Sequence, residues 1–217
     1  MTFDIYQQVF DRDGMPLEKK ARSYQDQLIQ LFEQSPEGQA LQNEGIEAGW
    51  PDMMLEFGMS YLSVTPPQMS PDQLREILFD IFPRKVSASA DEAEEIIREL
   101  QAFWQFMRRE FQLENAAACL KVLDDKAARQ LKKEMSDPAN FGIAKSFMMM
   151  GVERGFDMSS EEGINTWMAA YNTEISAGAG PRIPLPGERS ASARQFHNRL
   201  KPRKAGSSRK KPRKRKS

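Results

Sequence analysis

One stretch constrains the fold more than any other: residues 90–111, ADEAEEIIRELQAFWQFMRREF. Ile96, Ile97, Leu100, Phe103, Trp104, Met107 and Phe111 recur at three- and four-residue steps, the spacing of one broad helical face. Ser89 can cap the first turn, and Glu92 can reach back to it in a capping box. Glu92, Glu94 and Glu95 fall at the positive end of the helix dipole, Arg108 and Arg109 at the negative end. The paired rings Phe103 and Trp104 give this helix more apolar surface than its neighbours. A helix with such a face is stable only if other elements cover it.

The covering elements are legible in order. Pro16 suits a first helical position, and Leu17, Ala21, Tyr24, Leu28, Leu31 and Phe32 mark the apolar face of the helix it would open. Ser35-Pro36 stops that helix and opens a short second one through Leu41 and Ile46. Gly49-Trp50-Pro51 reads as a break, followed by an apolar segment with Met53, Met54, Phe57, Tyr61 and Leu62. Pro66-Pro67 reads as a turn. Ser70-Pro71-Asp72-Gln73 is a strong start signal for a helix carrying Leu74, Ile77, Leu78, Ile81 and Phe82, which Pro83 should end. After the organising helix, the pattern from Leu113 onward predicts one helix with Ala117, Leu120, Leu123, Ala127 and Leu131 inward. Asp137-Pro138 restarts the chain, and Phe141, Ala144, Phe147, Met148 and Val152 follow up to Gly155, a left-handed helix end. Ser159 and Glu162 form a third capping box, for a last helix with Ile164, Trp167, Met168 and Tyr171. No alternating strand pattern and no long repeat occurs. The expected body is an all-α, irregular bundle of about seven or eight short helices over residues 15–172.

Charge divides the chain sharply. Lys and Arg total 31 and Asp and Glu total 31, but residues 173–217 hold 14 basic and two acidic side chains, a net +12. The other 172 residues hold 17 basic and 29 acidic side chains, a net −12. An acidic globule thus carries a basic arm, an asymmetry that points to a polyanionic partner or to self-association. The arm opens with a Gly-, Pro-, Ser- and Ala-rich linker and ends in a Lys/Arg run, a composition expected to be disordered.

The chemistry-bearing residues are sparse. One Cys (Cys119) and one His (His197) provide no zinc ligand set, and no internal disulfide can form, which suits a reducing cytoplasm. Glu92, Glu94, Glu95 and Glu99 cluster, but a carboxylate di-metal bundle would also draw on His, and the body has none. A nucleophile would need His197 from the tail, which cannot hold it in place. Gly151-Val152-Glu153-Arg154-Gly155 lacks the Lys-Ser/Thr of a phosphate loop. The expectation is a protein without cofactor or metal, and not an enzyme. No signal peptide and no apolar run of membrane-spanning length is seen. Two body features invite interaction instead: the Pro83-Arg84-Lys85 corner, which otherwise complements a helix dipole, and the Phe147-Met148-Met149-Met150 run, which otherwise fills a core. Met149 should be left over.

The arm is the main functional lead. Arg189, Arg194, Arg199, Lys201, Arg203, Lys204, Arg209, Lys210, Lys211, Arg213, Lys214, Arg215 and Lys216 follow one another with no acid among them. Such a run binds phosphate backbones by counterion release, without sequence preference and with steep salt sensitivity. Only Phe196 and His197 interrupt it, too few for base stacking. Rival readings are a membrane surface, a targeting signal, or an arm lying back on the acidic body.

Several phrases resemble a bacterial family of helical proteins: SPEGQAL (residues 35–41), IFPRKVS (81–87), ELQAFWQFMRREF (99–111), FGIAKSFMMMGVERGFDMSSEEGI (141–164) and MAAYN (168–172). Some of its members look like companions of SEC-C type zinc-binding motifs. That resemblance implies a helical body whose C-terminal module contacts ribosomes or nucleic acid. This chain has no cysteine after Cys119, so no zinc ligand carries over, and by analogy the basic tail takes the docking role. The resulting expectation is a cytoplasmic, non-enzymatic protein binding RNA, ribosome or DNA through its tail. The alternative is an adaptor that binds a protein partner through its bundle surface, with the tail as a solubility or targeting segment.

Overall fold

The computed structural model describes residues 3–47 and 49–178. Among them the regular structure is helical and no strand forms, only an isolated bridge between Phe10 and Pro16. The organising helix is α6 (Ala93–Glu110), entered through a short 3-10 turn (Ala90–Glu92). The Ser89 capping box is present: the Glu92 carboxylate accepts from the Ser89 N–H at 2.8 Å. Ile96, Ile97, Leu100, Phe103, Trp104, Phe106 and Met107 are buried. They lie against α2 (Pro36–Asn43), α3 (Gly49–Leu62), α7 (Ala116–Leu120) and α8 (Asp125–Ser136). Phe32 of α1 (Glu18–Glu33) meets Phe103 edge-on at 5.3 Å and Phe106 at 5.6 Å. Aromatic pairs of this geometry contribute about 0.5–1.5 kcal/mol each beyond burial.

The structure corrects several sequence expectations. Pro16 does not open α1. It sits in the bridge to Phe10, and the helix begins at Glu18. Leu31 is 37 % exposed, off the buried face. Gly49-Trp50-Pro51 forms the first turn of α3 instead of a break, because Pro needs no N–H partner there. Pro83 does not end its helix either. α4 (Pro71–Glu76) runs through a π-turn (Ile77–Ile81) into α5 (Phe82–Lys85), and the Phe82 N–H reaches back five residues to Ile77. This wide turn makes room for the proline ring within the helix. The single helix expected from Leu113 is two, α7 and α8, split at Asp124, whose carboxylate caps α8 by accepting from the Ala127 N–H. Ala117 consequently faces solvent, while Ala116 and Cys119 turn inward. The core also takes in Ile5 and Val9, and the buried Tyr24 hydroxyl donates to the Ile5 carbonyl.

The chain ends in a helical hairpin, α9 (Ile143–Glu153) and α10 (Glu161–Ser176). Its cap is Ser160, one residue past the expected Ser159, which bonds Asp157 instead. Gly155 has the left-handed φ of 83° expected of a helix end. The hairpin is centred on Trp167, fully buried among Phe147 (5.5 Å), Phe156 (5.3 Å) and Tyr171 (5.5 Å). Gly151 admits the ring, since a Cβ there would stand 2.8 Å from Trp167 Cδ1. None of these residues joins the contiguous core of the body, which stops at Met135.

Candidate functional site

All thirteen cationic residues from Arg189 to Lys216 lie outside the described residues, as do His197 and Phe196. What the structure does fix is the place from which the arm departs. The last described element is α10, so the arm is carried by the hairpin and not by the α6 core.

The acidic cluster at the start of α6 does not converge. Glu92 caps its own helix, Glu94 and Glu95 face solvent, and Glu99 is only 1 % exposed, on the core side. Among the described residues no group of three or more His, Cys, Asp or Glu side chains comes together to hold a metal. Cys119 is buried with its Sγ 3.7 Å from the Met69 carbonyl, and burial pushes the thiol up to about 12, so no thiolate forms near neutrality. The 151–155 glycine pair belongs to the α9 terminus, where Gly151 makes space for Trp167.

Glu99 acts as a cap supplied from another helix. Its Oε2 accepts from the Trp50 N–H at 2.9 Å, in the first turn of α3, where helix N–H groups lack partners. Burial pushes its carboxyl up to about 7, against the pull of the Trp50 amide; the nearby Glu95 charge adds to the rise. Next to it opens a shallow hollow of about 570 Å³, lined by Glu33, Gln42, Gly45, Ile46, Glu47 and Gly49. Glu99 does not line it, and the hollow offers two carboxylates and no nucleophile. Sequence carried a signal for this burial: Glu99 lies three residues after Ile96 and four before Phe103, inside the core stripe.

The Pro83-Arg84-Lys85 corner has a structural task. The Arg84 carbonyl accepts from the Gly142 N–H at 3.0 Å, and the Pro83 carbonyl accepts from Lys145 Nζ at 3.1 Å. A Cβ on Gly142 would lie 2.7 Å from the Arg84 carbonyl oxygen, so only glycine permits this approach. Lys145 is 5 % exposed, stands over the Phe141 ring at 4.2 Å, and is held well below its usual range, at about 8, by burial. Lys85 leans over the Tyr61 ring at 5.3 Å. The corner is the platform on which α9 docks. Lys145 escaped notice because an isolated Lys in an apolar helix reads as an exposed residue.

Beyond that platform the hairpin is poorly covered. Lys145, Met149 and Val152 succeed one another at i, i+4 and i+7, one stripe of α9. Its first member is buried against α5, yet Met149 is 38 % and Val152 56 % exposed. Met149 was expected to be left over; Val152 was expected inward and is not. On α10, Met168 is 45 % and Ile175 46 % exposed, where Met168 had been assigned to the core face. Trp167 alone is buried on α10. A shallow hollow of about 750 Å³ runs beside Glu161, Glu162, Asn165, Thr166 and Ala169. Comparison with protein-family models, curated proteins and solved structures finds no match to this chain.

Proposed function

We propose that this chain is a non-enzymatic polyanion-binding protein that holds RNA or DNA through the cationic residues 189–216 and carries them on an acidic helical body. The observation behind this reading is the charge partition, +12 over residues 173–217 against −12 over the rest. A body of that sign repels a nucleic-acid backbone, so contact is left to the arm, and binding is non-specific and salt-dependent. Binding of the full chain to a generic RNA and a generic duplex, followed by fluorescence anisotropy across a salt series, tests it. The reading expects affinity that falls linearly with salt on a double-logarithmic plot and is lost when the thirteen Lys and Arg are replaced by Gln. Unchanged binding by that variant would refute it.

A second reading, an adaptor that engages a protein partner, is favoured by one observation: Ile143, Met149, Val152, Met168 and Ile175 make the hairpin richer in exposed large apolar side chains than any other part of the described residues. Met149→Ser with Val152→Ser in the full chain should then abolish partner capture while leaving nucleic-acid affinity intact.

A further inference from the structure

The seam between α5 and α9 carries buried polar atoms that the fold does not pair. Arg84 Nε and Ser146 Oγ are both buried, and neither has a hydrogen-bond partner among the described residues. Leaving one such group unpaired costs about 1–3 kcal/mol, so two at one seam point to a shared acceptor. Lys145 stands between them in the fold. It is 5 % exposed, and of its three donors one meets the Pro83 carbonyl. Burial alone holds it down at about 8, with no carboxylate opposing, although buried cations are ordinarily paired. Arg84 Nη1 lies 3.9 Å from Asp80 Oδ1, an ion pair too long for a hydrogen bond, and Nε stays unpaired.

These groups meet at the N-terminus of α9, an eleven-residue helix that no side chain caps. The N–H groups of such a turn lack intrahelical partners and carry partial positive charge. Arg84 Cγ lies 3.1 Å from where a Gly142 Cβ would stand, so the Arg84 side chain runs against the first residue of the turn. Ser146 follows one turn later, about 5–6 Å from that point. Helix side chains tilt toward the N-terminus, which carries the Ser146 hydroxyl back toward Gly142. Ser146 is 6 % exposed, so its unpaired oxygen is aimed into the same turn from the buried side. Ile143 and Ala144, on the outer side, are exposed and leave a way in.

We propose that the N-terminal turn of α9 binds a phosphate-type oxyanion, held by Arg84 Nε, Ser146 Oγ, Lys145 Nζ and the N–H groups of Ile143 and Ala144. A phosphate presents acceptor oxygens in several directions and up to two negative charges. It can therefore take donors from both sides of the seam at about 2.8 Å each and offset two cations. A carboxylate, with two oxygens in one plane, reaches fewer of them. Helix N-termini bind phosphates for the same reason elsewhere. The bound anion would tie α5 to α9 and so fasten the hairpin to the body.

This inference does not rest on polyanion binding, whose cations all lie within residues 189–216. Amide and indole NMR of the isotope-labelled full chain tests it, in titrations with inorganic phosphate and with a nucleoside monophosphate at constant ionic strength. The expected result is saturable shifts of the amides of residues 143–146. The dissociation constant should rise about tenfold in Ser146→Ala and in Arg84→Gln, the loss of one charged hydrogen bond. The Trp167 indole N–H, which donates to the Phe147 carbonyl at 2.9 Å, should keep its resonance in both variants and so report an intact hairpin. Saturation by phosphate itself assigns the site to the free anion, and saturation by the monophosphate alone assigns it to an ester. Amides 143–146 that stay in place while only arm residues shift would overturn the proposal and leave a bridging water to join the two unpaired atoms. Equal affinity in the native chain and both variants would overturn it too.

Discussion

The body and the terminal hairpin are both helical and both have a tryptophan at their centre, but they are held in different ways. Around α6, Trp104 is fully buried against Phe103, and the aromatic contacts continue from Phe103 through Phe32 and Phe106 to Phe111 and Phe3. Around Trp167 the ring contacts come from Phe147, Phe156 and Tyr171, all within the hairpin itself. The seam joining hairpin to body rests on few groups, notably the Gly142 N–H and the Lys145 ammonium on two α5 carbonyls. Two helices cannot enclose an apolar stripe unaided, so the hairpin leaves uncovered what the body conceals. That difference separates a closed core from a pair of helices with exposed apolar side chains.

Core truncation should separate the two regions most strongly. Phe103→Ala removes the ring on which Phe32, Trp104 and Phe106 all rest, and is expected to cost about 3–5 kcal/mol and lower the thermal midpoint of the whole chain. Trp167→Ala is expected to lose a similar amount locally, melting α9 and α10 while the circular dichroism of the remaining helices and their transition persist. A single shared transition in both variants would make the two regions one cooperative unit. Gly151→Ala comes next. Its Cβ meets Met158 Sδ and the Trp167 ring, an overpacking of about 1–3 kcal/mol, seen as faster proteolysis at the hairpin with an unchanged body.

Smaller still are two pH effects of opposite sign. The Glu99 carboxyl is raised from 4.5 to about 7 in the fold, so the folded chain binds that proton more tightly than the unfolded one, and the body loses stability as pH rises from 4.5 to 7. Glu99→Gln keeps an acceptor for the Trp50 N–H and should flatten this slope. Lys145 is lowered from 10.5 to about 8, so the unfolded chain holds more protons in that window and docking of the hairpin strengthens as pH rises from 8 to 10.5. Lys145→Met should remove the second slope and leave the first. Urea titrations over these pH ranges, read by near-ultraviolet dichroism, give both.

The same contrast explains what the sequence could reveal. The α6 stripe and the Ser70 and Ser89 caps were legible because period and capping are local. The passage of the helix through Pro83 was not, since the π-turn that admits the proline ring lies upstream and leaves no residue signature. Ala117 was turned the wrong way because a break at Asp124 resets the helical phase, and an Asp within an apolar pattern serves as readily for a cap as for a solvent position. On the hairpin, Met168 and Val152 carried a core-like pattern that the fold leaves in solvent. Periodicity reports that a face is apolar, while only the number of neighbouring elements decides whether anything covers it. The cationic residues of the arm were read from charge alone, which requires no fold.

Native-state hydrogen exchange of the full chain tests the two-part account most directly. The account predicts that amides of α6 exchange only through global unfolding, while those of α9 and α10 exchange together, at a lower and denaturant-dependent opening free energy of their own. Equal protection of α6, α9 and α10, rising and falling together across a denaturant series, would contradict it.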